Sequence, residues 1–133
     1  MRLIQLFLVS IIVFVCGCST SSTDADFAID VDSALESLPE ITGETVSIRG
    51  YLSYDFEDKN LYASERHARD YDQDHCISIG VANDAIPDLE GSNDQWVTVS
   101  GTLTDDFCPP DTICMASCSQ VGIFVEALQS ARE

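Results

Sequence analysis

Lysine is almost missing from this chain, since Lys59 is the only one, and all cations together number 6 against 23 acids in 133 residues. A protein that holds nucleic acid does so largely by displacing phosphate counterions with Lys and Arg. A formal net charge of −17 therefore excludes nucleic acid and anionic lipid head groups as partners of the ordinary electrostatic kind. Histidine is scarce too, with two residues, and neither sits in a nucleophile motif. No G-x-S-x-G, no glycine-rich phosphate loop and no C-x-x-C occurs, so hydrolase, nucleotide and thioredoxin-type chemistry lack their usual residues. No catalytic residue is assigned, and the expectation is a protein that is not an enzyme.

Long hydrophobic runs are also lacking, apart from one at the start. Residues 3–15 are apolar except Gln5 and Ser10, follow the single cation Arg2, and lead into Val15-Cys16-Gly17-Cys18. Thirteen residues of helix reach only about 20 Å, whereas crossing a bilayer takes about 20 residues. A charged head, a short apolar segment and a small residue before a cysteine make a secretory leader. The four closing residues resemble the lipobox of bacterial lipoproteins. That resemblance implies that residues 1–17 are removed and that Cys18 carries lipid and becomes the N-terminus. Several acyl chains, at about 0.8 kcal/mol for each buried CH₂, hold a small domain at a membrane. Ser19 is not the aspartate that in enteric lipoproteins signals retention at the inner membrane. The implied address is the cell envelope, facing the periplasm, with the outer membrane favoured.

After the leader about 115 residues remain, enough for one domain. Residues 18–26, beginning CSTSSTDAD, read as a lipidated N-terminus and flexible linker. Residues 27–133 read as the single domain. Four cysteines fall inside it, Cys76, Cys108, Cys114 and Cys118, an even number suited to an oxidising compartment. Spacing leaves three pairings open. Zinc on these cysteines, with His75, is disfavoured because five and three intervening residues lack the two-residue knuckle of most structural sites.

Phe27, Val31, Ala34, Leu35 and Leu38 recur at spacings of three and four, which predicts a short helix ended by Pro39. It is expected to close an opening of the domain. Residues 45–55 then alternate with period two: Val46, Ile48, Leu52, Tyr54 and Phe56 share the inward parity with Gly50, where a bend is expected. Residues 61–64 return as a hairpin partner, and 65–74 read as a charged loop. Three more strands follow at 75–81, 96–103 and 120–128, with Ile77, Ile79, Val81, Val97, Val99, Leu103, Val121, Ile123, Val125 and Ala127 inward.

The stretches GETVSIRGYLSY, NLYAS, HCISIGV, WVTVSGTL and VGIFVEAL, in that order after a helix, resemble an OB-fold, and more narrowly the small OB-fold lipoproteins of bacteria. The resemblance covers about residues 44–128 and implies an all-β, five-stranded Greek-key barrel with one short N-terminal helix. It also implies that the third and fifth strands run parallel side by side. Cys76 would then face Cys118, leaving Cys108 for Cys114.

Outward parity places Arg49, Tyr51 and Tyr62 together on the first hairpin, a candidate binding face. Trp96 is outward as well and is expected to lie under the N-terminal helix. Asp70, Asp72 and Asp74 stand at alternate positions, as in the first half of an EF-hand loop, but His75 occupies the place of the turn glycine and Val81 that of the closing glutamate. The expected function is a lipid-anchored, non-catalytic envelope module that contacts a protein, peptide or glycan and needs no cofactor. The alternative is a calcium-binding module using the acidic loop 65–74, with His67 or His75 nearby, and a third, less favoured reading is an envelope enzyme with an unrecognised site.

Overall fold

The computed structural model describes residues 27–81, 88–108 and 118–130. Cys18, the leader, the linker and Cys114 lie outside the described residues. Among the described residues no helix is long and apolar enough to cross a membrane.

Six strands form one sheet: β1 (Ile29–Asp30), β2 (Thr45–Tyr54), β3 (Lys59–Tyr62), β4 (Cys76–Val81), β5 (Gln95–Thr104) and β6 (Gly122–Ser130). They run in the order β1-β2-β3-β4-β6-β5, and β5 pairs back onto β2. Strands β2 to β6 thus close a five-stranded barrel, with β4 and β6 parallel as the OB order requires. Closure removes the exposed edges that an open sheet would leave. One short gap remains, because β3 covers only residues 51–54 of β2. β1 fills it, pairing Ile29 and Asp30 in parallel with Ile48 and Arg49.

The predicted N-terminal helix is divided. α1 (Val31–Glu36) begins at Asp30, whose carboxylate accepts from the Ser33 amide at 2.8 Å, and α2 (Leu38–Ile41) follows after Ser37. Pro39 does not end a helix; it lies in the first turn of α2, where the missing N–H has no intrahelical partner to lose. Phe27 is off the helix and 84% exposed. Val31 and Ala34 are fully buried and plug the barrel as expected.

Inside the barrel Ile48, Leu52, Leu61, Ile77, Val97, Val99, Leu103, Ile123 and Val125 are buried, following the period-two pattern. Gly50 is needed where α1 and β3 press on β2: a Cβ there would stand 2.6 Å from Leu61 Cγ and 2.9 Å from Val31 Cγ2. The expected inward set fails at two strand ends and at one bulge. Phe56 and Val81 are exposed because each lies at or past the last paired residue of its strand. Ala127 is exposed because Ser100 pairs with Ala127 while Gly101 pairs with Val125, so Glu126 is an extra residue. That bulge reverses the parity, and Leu128 packs on the core instead.

Cys76 and Cys118 are bridged, with their Cα atoms 5.4 Å apart. The parallel β4–β6 pairing brings them together as the resemblance implied. Cys108 is also disulfide-bonded.

Candidate functional site

Residues 63–75 are the part of the chain least like the predicted loop. Ser64 caps α3 (Glu65–Arg69) by accepting from the His67 amide at 3.2 Å. Tyr71, at φ 50°, reverses the backbone in a left-handed conformation. A 3-10 turn over Gln73–His75 then leads into β4. Three backbone bonds lock the fold-back: Asp72 N to His67 O at 3.0 Å, His75 N to Asp72 O at 3.3 Å and Ala63 N to His75 O at 2.9 Å.

This segment changes the face on which Tyr62 lies. α3 lays Ala68 over Tyr62 and the Cys76–Cys118 bridge, so Tyr62 is 1% exposed although it points away from the barrel interior. Its phenol donates to Asp58 at 3.0 Å. Asp58, itself buried, also accepts from Ser53 at 2.6 Å and from the Asn60 amide. Burial pushes the Tyr62 phenol well up from its ordinary value. Tyr62 is therefore a structural residue and leaves the expected binding face.

Arg49 and Tyr51 remain on that face, and Trp96 joins them. Tyr51 pairs with Trp96 across β2 and β5; their rings meet edge to face at 6.1 Å. The Arg49 guanidinium sits 5.4 Å from the Trp96 ring centre. Trp96 is 39% exposed and not covered by the N-terminal helices.

Between the β2–β3 turn and the segment after α3 lies a cleft of about 590 Å³, lined by Asp55, Phe56, Glu57, Asp58, Tyr71 and Gln73. It stands over the β2–β3 turn, which is held by the Asp55 carboxylate accepting from the amides of Glu57 and Asp58. Phe56 and Tyr71 are 88% and 66% exposed there. Periodicity gave no sign of this cleft, because its walls come from a turn and a fold-back.

The three aspartates of the candidate calcium loop are not gathered together. Asp70 pairs with Arg66 at 3.7 Å on the open surface, and Asp72 accepts from the Asp74 amide at 3.2 Å. Among the described residues the group with metal-ligand proximity is instead His67, Asp72 and His75, whose ligand atoms lie within 4.8 Å of one another. The two imidazoles stack, with centres 4.3 Å apart and planes 17° from parallel. His75 Nδ1 meets the Asp32 carboxylate of α1 at 2.8 Å. That hydrogen bond raises the His75 pKa from its ordinary value.

No family model and no curated protein matches the chain. Among solved structures it is similar to a putative aspartyl-tRNA synthetase from Leishmania major Friedlin, at 20% identity and a TM-score of 0.52 over 87% of this chain. It is also similar to asparaginyl-tRNA synthetase from Pyrococcus horikoshii, at 17% identity and a TM-score of 0.48 over 79% of this chain. The chain spans 23% of the length of each synthetase. An OBody bound to hen egg-white lysozyme is 14% identical, with a TM-score of 0.43 over 71% of this chain and 88% of that one. Likeness at such identities speaks to fold alone, and with the strand order above it makes this chain an OB-fold barrel.

Proposed function

We propose that this chain is a lipid-anchored protein of the bacterial cell envelope, tethered through Cys18, whose OB barrel is a non-catalytic docking module for a basic segment of an envelope protein or peptide. The observation that carries the docking reading is the cleft at the β2–β3 turn. Two exposed aromatic rings, Phe56 and Tyr71, stand there beside the carboxylates of Asp55 and Glu57, and among the described residues no Lys or Arg lines the cleft. An aromatic face attracts Lys or Arg by about 0.5–1 kcal/mol at an exposed site, and the acidic rim steers cations toward it. The leader and lipobox-like residues support the anchor. The buried Cys76–Cys118 bridge suits an oxidising compartment.

Titrating the detergent-solubilised full chain with a lysine- and arginine-rich peptide, and separately with a neutral oligosaccharide, tests the docking reading. The expected result is peptide binding that weakens with salt and weakens by about 2–5-fold in each of Phe56→Ala and Tyr71→Ala, with an unchanged melting temperature. Binding that ignores both substitutions, or binding of the oligosaccharide alone, refutes it. For the anchor, mass spectrometry of the membrane fraction should find Cys18 acylated, and Cys18→Ala should release the chain. Recovery from the cytosol with residues 1–17 retained refutes the tether.

A further inference from the structure

We infer that His67, Asp72 and His75 form a binding site for a divalent transition ion of the zinc class, with Asp32 as the group that holds His75 in its ligating form. This site is separate from the docking cleft and does not rest on it.

The donor set decides the ion. Two imidazoles and one carboxylate suit zinc, copper(II) or nickel, whereas calcium takes six to eight oxygen ligands. The fold-back that unites them is fixed by backbone bonds, since Asp72 N binds His67 O and His75 N binds Asp72 O. Ligand atoms within 4.8 Å of one another are near the separation an ion imposes. Tetrahedral zinc with bonds of about 2.0–2.1 Å sets its ligands roughly 3.4 Å apart, so binding turns the two stacked imidazoles out of parallel until their in-plane nitrogen lone pairs converge on the ion. All three side chains are half-buried, which leaves an entry path and room for water or a partner group to complete the coordination.

Two further observations are independent of that proximity. A carboxylate can only accept, so the contact at 2.8 Å makes His75 Nδ1 the donor to Asp32 and presents the Nε2 lone pair outward. This is the carboxylate–imidazole arrangement that orients histidines on metals. His67 Nδ1, moreover, is buried with no hydrogen-bond partner. A buried polar atom without a partner is costly, and ligation at that nitrogen would supply one. Asp72 engages one carboxylate oxygen with the Asp74 amide, and the other can turn to the ion.

The test is titration of the chelator-stripped full chain in detergent with zinc, cobalt(II) and calcium. One zinc per chain is expected, with visible cobalt absorption of nitrogen and oxygen ligation and no response to calcium. His67→Gln and His75→Gln each lower zinc affinity by about 100-fold or more, and Asp32→Asn by about 10–100-fold, as loss of an outer-shell partner does. Where a substitution prevents folding, the imidazole ¹⁵N resonances of the unaltered chain report ligation directly, and both histidines shift on adding zinc. Zinc affinity equal in all folded variants, imidazole resonances that stay in place, or calcium bound as tightly as zinc overturns the assignment.

Discussion

The Cys76–Cys118 bridge should supply a large share of the stability of the barrel. The two cysteines are 42 residues apart in sequence, and the chain-entropy expression for a loop of that length gives about 4 kcal/mol at 25 °C. The effect acts on the unfolded chain, since β4 and β6 remain hydrogen-bonded neighbours whether or not the sulfurs are joined. Both sulfurs lie buried against Tyr62 and Ala68, so replacing them with Ala adds a cavity term in the same direction. Against a net stability of about 5–15 kcal/mol for a domain, Cys76→Ala/Cys118→Ala should leave a barrel that is marginal at body temperature. Urea unfolding followed by the fluorescence of Trp96, the single tryptophan, measures the loss. The m-value should rise as well, because the unbridged unfolded chain is more expanded. A loss below about 1 kcal/mol with an unchanged m-value would refute the entropic account.

Gly50→Ala should destabilise by about 1–3 kcal/mol in the same assay, because its methyl meets Leu61, the Tyr62 carbonyl and Val31 at once. Tyr62→Phe should cost about 1–3 kcal/mol near neutral pH by removing a donor from the buried Asp58 carboxylate. The raised phenol pKa sets the sign at high pH: the contribution of Tyr62 is complete below the unfolded value of about 10 and is lost as pH rises above it. Wild type should therefore lose stability above about pH 10 more steeply than the Phe variant, as urea midpoints at stepped pH will show. Zinc should alter peptide affinity at the cleft, because Tyr71 lies between His67 and Asp72 in the same fold-back, and by linkage the peptide then alters zinc affinity by the same factor; a peptide affinity unchanged by saturating zinc in calorimetry would refute the coupling.

The barrel was legible because each long strand repeats its burial with period two, and the resemblance to an OB-fold supplied the parallel β4–β6 pairing that brings Cys76 to Cys118. Parity misled where it was carried to or past the last paired residue, at Val81 and Phe56, or across the Glu126 bulge, which leaves no mark in a pattern of side chains. Tyr62 shows a different limit. Parity says which side of the sheet a residue faces, not whether something covers that side. The cover, α3, is five residues reading ERHAR, with Ala68 its lone apolar residue and hence no amphipathic stripe to find. The His67–Asp72–His75 grouping was visible only as residue types, since bringing them together depends on Tyr71 taking a left-handed conformation that tyrosine seldom adopts.

That same cover changes the face an OB barrel offers to nucleic acid. In this architecture the outward face of the second and third barrel strands and the adjoining loops are where oligonucleotides and oligosaccharides are gripped. Here those strands are β3 and β4, and α3 seals Tyr62 and the disulfide beneath it. An aromatic that would stack a base is instead hydrogen-bonded to a buried aspartate, and the surrounding charge repels phosphate. The proposed docking cleft lies at the rim of the covering segment, where Tyr71 and Gln73 wall one side of it, and His67, Asp72 and His75 gather on the same fold-back. One segment of about a dozen residues between β3 and β4 thus covers the customary ledge, gathers the His67–Asp72–His75 group and supplies one wall of the cleft, so a change in its length should disturb docking, ion binding and the packing of the Cys76–Cys118 bridge together.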